Sequence, residues 1–240
     1  MKTLVLQSQR TENCPSWIEQ CLESVQGWCH QHNYSWHFLG DEIFDLVPGW
    51  YMDKTGKGPI AADYARLVAM KNLLAEKGTD QVIWLDADVY VLDDKMVLSS
   101  EKSCAFGFEV WIQQEGKTLR ARKNVHNAVC LFKPGCVVLP FLIETVASII
   151  QRANPASIAP QMVGPKLLSA LHSLHDFALL PQVGALSLEV AADVINGGGP
   201  ALDLLLNKNG EKLQAMNLCS SLLNEADAAR VIDGISLLGR

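Results

Sequence analysis

The sequence predicts an α/β fold built on a three-layer, Rossmann-type, mostly parallel sheet. Three observations point to it. Short apolar runs alternate with helical stretches along the whole chain. The run from Gln81 to Leu92 is rich in β-branched and aromatic residues (Val82, Ile83, Trp84, Val89, Tyr90 and Val91), as a central strand buried on both faces requires. Hydrophobic residues make up 49% of the chain and charged residues 19%, so its 240 residues can bury a sizeable core.

Element by element, Leu4–Leu6 is a first buried strand. Pro15 then opens a helix in which Trp17, Ile18, Cys21, Leu22, Val25 and Trp28 share one face. Ser35–Leu39 is a second strand. Asp45–Pro59, holding Pro48, Gly49, Gly56, Gly58 and Pro59, reads as a long functional loop. A helix follows from Ile60 to Lys77 with Gly78 as its C-cap. After the Gln81–Leu92 strand, further strands are expected at Cys104–Val110 and Ala128–Phe132. A helix is expected over Val137–Arg152. Gly164–Ser173 is helical and Phe177–Pro181 a strand, with closing helices near Ser187–Ile195 and Asn224–Leu238.

The net charge of -6 argues against a nucleic-acid binder, which needs a basic face for phosphates. An acidic protein still binds a diphosphate if a cation supplies positive charge locally. The seven cysteines are odd in number and include no CxxC pair, so neither zinc spacing nor a complete disulfide framework is present. The start has too short an apolar run for a signal peptide, and no stretch approaches the ~18 apolar residues of a membrane span. A cytoplasmic, reducing location is expected.

The most informative feature is Asp86-Ala87-Asp88 in the Gln81–Leu92 run. Residues i and i+2 of a strand share a face, so both carboxylates are expected to converge. Buried carboxylates need compensation, and a pair at a strand end suits Mg²⁺ or Mn²⁺. The plain alternative is a solvated acidic strand end. Asp63 and Arg66, three apart on one helix face, form a second signal, for which a local ion pair is the simpler reading.

These signals occur together as Ala62-Asp63-Tyr64-Ala65-Arg66-Leu67, then Lys77-Gly78, then Val82-Ile83-Trp84-Leu85-Asp86-Ala87-Asp88. The set resembles the DXD sugar-binding region of the glycosyltransferases that include the yeast initiating mannosyltransferase and the clostridial glucosylating toxins (family 32-like). Asn124–Phe132 with Lys133-Pro134-Gly135, and Gly164-Pro165 at a helix start, are similar to later segments of that family. The likeness is clear over about residues 60–170.

The resemblance implies one GT-A-like domain over 1–240, with a nucleotide-binding part at about 1–95 and an acceptor and sugar part at about 96–240. It implies hexose transfer from a UDP- or GDP-linked sugar, with retention, to a carbohydrate, lipid-linked or protein acceptor. Asp63, Arg66 and Asn127 would hold the donor sugar. Gln7 and Ser8 would lie near the base, and Trp50, in the long loop, could stack on base or sugar. Asp88 would ligate Mn²⁺ or Mg²⁺ directly and Asp86 through water, the two forming the catalytic centre. Related enzymes often complete the metal site with a late His. Here no His follows His175, so Asn217, Ser220 or Ser221 would have to serve. The competing readings are a silent nucleotide-sugar-binding protein, a nucleotidyltransferase, and a haloacid-dehalogenase-type phosphatase using Asp86 and Asp88 with Lys166 and Asp193.

Overall fold

A computed structural model describes residues 2–175 and 177–239. Its central sheet is built from β1 (Thr3–Ser8), β2 (Ser35–Leu39), β3 (Gln81–Leu85), β5 (Cys104–Glu115), β6 (Thr118–Phe132) and β7 (Ala178–Leu180), in the order β2-β1-β3-β6-β5-β7. Neighbouring strands pair in parallel except where β6 runs antiparallel to β3 and β5, so five of the six strands share one direction. A second sheet, β4-β9-β8, joins β4 (Val89–Val91), β9 (Ala215–Asn217) and β8 (Val183–Ala185).

Alternation along the strands sorts the core into layers. Leu4, Leu6, Val82, Trp84 and Phe132 pack with residues of α3 (Pro59–Leu74) and α4 (Val138–Arg152). Val5, Ile83, Leu85, Val129 and Leu131 pack on the opposite side with Val25, Trp28 and Cys29 of α1 (Ser16–Gln31). The far end of the hairpin (Val110, Ile112) is covered by α6 (Leu188–Ile195), α7 (Pro200–Asn209) and α8 (Glu225–Asp233). Among the described residues, no helix is long and apolar enough to cross a membrane.

Several boundaries differ from expectation. The 45–59 stretch is largely ordered: a 3-10 turn covers Asp41–Leu46 and α2 covers Gly49–Thr55, anchored by the fully buried Tyr51. α3 ends at Leu74, and Gly78 instead occupies a positive-φ turn (φ +81°) beyond it. The strands expected at Cys104–Val110 and Ala128–Phe132 are two ends of one long hairpin turning at Gly116, whose distal arms alternate polar and apolar residues. α5 (Pro165–His172) follows Gly164 as expected. β8, α7 and β9 are too short or too weakly periodic to stand out in the sequence.

The expected single strand Gln81–Leu92 is interrupted. β3 stops at Leu85, the Asp86 amide continues the ladder to the Ala128 carbonyl at 2.8 Å, and the Val89 amide closes a turn onto the Asp86 carbonyl at 3.1 Å. β4 then joins the second sheet. Asp86-Ala87-Asp88 is thus the corner at which the chain changes sheets, so the strand alternation that would aim both carboxylates one way does not apply.

Candidate functional site

Arg66 is the hub. Its guanidinium is 3.0 Å from Asp63 Oδ1 and 3.0 Å from Asp86 Oδ1, and it donates to the Asn127 carbonyl at 2.7 Å. It also lies over the Trp84 ring, 5.0 Å from the centroid, while Trp84 Nε1 donates to Asp86 Oδ1 at 2.6 Å. The Asn127 amide donates to Asp63 Oδ1 at 2.7 Å. The helical spacing of Asp63 and Arg66 on α3, with Asp86 at the end of β3 and Asn127 on β6, brings four of the expected residues into one network.

Burial sets its electrostatics. Arg66 is 7% exposed and Asp63 6%. Desolvation works against the Arg66 charge, but Asp86 and then Asp63 more than offset it and hold the guanidinium protonated. Burial pushes the Asp63 carboxyl up to about 6; Arg66 pulls it down, Asp86 raises it, and the Asn127 hydrogen bond lowers it.

Asp88 points elsewhere. It is 8% exposed, accepting from Asn217 Nδ2 at 2.9 Å on Oδ1 and from the Ser220 amide at 2.7 Å on Oδ2. Asn217 Oδ1 in turn accepts from the Cys219 amide at 2.8 Å, and the Leu218 amide donates to the Asp88 carbonyl at 2.8 Å. Burial first, then Asp86, raises the Asp88 carboxyl, against the lowering by Ser220. Of the residues named as substitutes for a late His, Asn217 and Ser220 reach Asp88, donating N–H groups to it.

Two clefts meet at Asp86. One, of about 720 Å³, is lined by Ser8, Arg10, Lys57, Arg66, Asp86 and Asp88 among others. The other, of about 610 Å³, runs along the β5–β6 hairpin and includes Asp86, Asn127, Trp111, Asn124, Lys166 and Asn217. Asp63 lines neither: it holds Arg66 and Asn127 from behind. Gln7 is fully buried, accepting from Trp36 Nε1 at 3.0 Å and donating to the Asp86 carbonyl at 3.2 Å, so it supports the corner rather than the cleft. Trp50 is 41% exposed, rests against Tyr51, and is not among the lining residues of either cleft.

Three contributors escaped the sequence reading. Trp84, taken as core, braces Asp86; its i, i+2 spacing was the available signal. Gly164 packs against the network: a Cβ there would lie 2.9 Å from both Asn127 Nδ2 and Asp63 Oδ2. His126 is held between β6 and β8, with Nδ1 accepting from the Ala128 amide at 3.2 Å and Nε2 3.0 Å from the Val183 carbonyl.

The Mn²⁺ or Mg²⁺ expected on Asp86 and Asp88 can be tested against these donors. Such ions take several oxygens at close to octahedral geometry. Both Asp88 oxygens accept from N–H groups, and Asp86 Oδ1 is committed to Arg66 and Trp84. Among the described residues, no group of three or more His, Cys, Asp or Glu is placed to hold a metal ion. The arrangement does not fit a chelated cation.

Neither a family model nor a curated relative matches the sequence. Solved structures do match. A glycosyltransferase involved in the glycosylation of the major capsid of PBCV-1 shares 13% identity, with 97% of this chain and 98% of that chain covered at a TM-score of 0.54. The galactosyltransferase LgtC, in complex with donor and acceptor sugar analogs, shares 12% identity over 99% of this chain and 95% of that one, at 0.48. Mouse xyloside xylosyltransferase 1 shares 10% over 93% and 99%, at 0.49. The first establishes that the chain has the α/β fold of a glycosyltransferase over nearly its full length; the other two scores are too low to add to it.

Proposed function

We propose that the protein transfers a hexose from a nucleoside-diphosphate sugar to a carbohydrate, lipid-linked or protein acceptor. One observation carries the reading: two separate clefts meet at Asp86, whose carboxylate is held by Arg66 and Trp84. A transferase needs such a junction, since the sugar passes from a donor on one side to an acceptor on the other. The Ser8-lined cleft opens beyond the carboxyl ends of the parallel strands β1 and β3, the usual nucleotide position in such sheets. This supports a nucleotide-binding part at about 1–95, with Ser220, Leu223 and Glu225 closing the same cleft. The 96–240 part supplies Asn127 and the hairpin of the acceptor cleft.

At the junction, Asp86 and the Asn127 side chain face the transferring sugar, and Arg66 fixes Asp86 in place there. Asp63 is a positioning residue. The resemblance stated above favours retention of configuration. No step is routed through a metal, because the donor set does not fit one. The phosphatase alternative loses its partners: Asp86 Oδ1 is occupied, and Asp193 caps α7 by accepting from the Ala201 and Leu202 amides at 2.6 and 3.0 Å.

The test is release of nucleoside diphosphate from a panel of UDP- and GDP-sugars, with the anomeric form of the product read by NMR. Turnover of one donor in preference to the rest is expected. Absence of turnover together with absence of donor binding would overturn the reading.

A further inference from the structure

The misfit between the Asp-Ala-Asp corner and a chelated cation leaves the donor's diphosphate without its expected counter-charge. Asp88 serves another purpose: through Asn217 and Ser220 it fastens the 217–220 segment onto the corner, with each carboxylate oxygen satisfied. Charge for a diphosphate must then come from the chain itself.

The cleft of about 720 Å³ offers it. Arg10, just beyond β1, and Lys57, just before α3, both line it, and neither has an ion-pair partner among the described residues. Lys57 Nζ lies 5.6 Å from the centroid of the Phe44 ring, which also lines the cleft. The start of α3 borders the same cleft. This sixteen-residue helix has no side-chain cap and no acidic residue in its first turn, and Gly58, Pro59 and Ala62 all line the same cleft. Of these, Pro59 has no N–H and the Ala62 amide is bonded to the Gly58 carbonyl at 3.0 Å, so the helix contributes the positive end of its dipole rather than a row of free amides. Arg66, 7% exposed, also lines this cleft, with its Nε buried and without a hydrogen-bond partner. Asp41 and Glu225 also line the cleft, both at exposed positions where water and salt screen them. Asp86 is paired with Arg66, which it shares with Asp63, and Asp88 is held by N–H donors.

We propose that the diphosphate of the donor is bound by Arg10, Lys57 and the α3 N-terminus, without a divalent cation on Asp86 and Asp88. This rests on the transferase reading, and its test separates the two. Binding of UDP, UMP, GDP and GMP is measured by calorimetry in excess EDTA, then with excess Mn²⁺ or Mg²⁺. The set is repeated for Arg10→Gln, Lys57→Gln and Asp88→Asn. A diphosphate should bind with an affinity that changes less than about threefold between EDTA and metal. Arg10→Gln and Lys57→Gln should each weaken it by roughly 1.5- to fivefold, the range for exposed charge contacts, and narrow its preference over the monophosphate. Binding that appears only with metal and is lost in Asp88→Asn would overturn the proposal while leaving the transferase reading intact. Metal-independent binding indifferent to both cation variants would also overturn it. If none of the four nucleotides binds under either condition, both readings fall.

Discussion

Replacing Arg66 with Met tests the network at its hub. Met keeps most of the apolar stem but removes the guanidinium, leaving Asp63 buried and facing Asp86 without the cation between them. Breaking a buried pair from one side costs about 3–5 kcal/mol. The Asp86 side chain is 24% exposed, so its contact is partly screened by solvent. A loss of about 3–4 kcal/mol at pH 8 is therefore expected, measured as a lower urea midpoint.

The pH dependence makes the prediction sharper. Asp63 titrates at about 6 in the folded protein, with Arg66 as the largest influence lowering it; without Arg66 it titrates higher. The unfolded carboxyl titrates near ~4 in both proteins. A folded pKa above the unfolded one means the folded state binds more protons between the two values, so stability from this group falls as pH rises through the folded pKa. The variant meets that loss at a higher pH than the wild type and loses more in total. Its deficit should therefore be largest at pH 8 and shrink as pH falls towards about 6. A deficit under about 1 kcal/mol at pH 8, well below the buried-pair range, or one that grows on acidification, would refute the reasoning.

Further outcomes follow from the same contacts. Asp88→Asn sets an amide N–H against either Asn217 Nδ2 or the Ser220 amide, and should cost about 1–3 kcal/mol in urea denaturation with no metal present. A residue serving only as a metal ligand would show no such loss. Gly164→Ala should push Asn127 off Asp63, since the new Cβ lies 2.9 Å from each; donor KM should rise about tenfold, equivalent to about one hydrogen bond, with a smaller effect on stability. Because ionised Asp63 holds Arg66 and Asn127, kcat/KM should fall on the acid side of about pH 6, with an absence of any acid limb above pH 5 counting against that role.

Much of this was legible in the sequence, for identifiable reasons. The apolar run before Asp86 locates β3, because a strand buried on both faces needs continuous hydrophobicity. The i, i+3 spacing of Asp63 and Arg66 predicts their contact, because α3 is a regular helix. The divergence of Asp86 and Asp88 was not legible. It depends on β4 pairing with β9, whose residues lie more than a hundred positions away and form only a three-residue strand. Gln7 likewise looked like a strand-end ligand residue, and only the packing of Trp36 against it shows its amide committed inward. Trp84 illustrates the converse: its composition argues for core, and it is core, yet its indole N–H is spent on the site.

The central claim is that a sugar crosses between two clefts at Asp86, and steady-state turnover with Asp86→Asn tests it most directly. The substitution keeps the side chain's shape while removing the charge that Arg66 and Trp84 hold in place. The account predicts nucleoside-diphosphate affinity within about twofold of wild type and donor turnover reduced at least about a hundredfold, a loss of roughly 2.7 kcal/mol in transition-state stabilisation. Turnover within threefold of wild type would contradict it and move the chemistry away from the junction of the clefts.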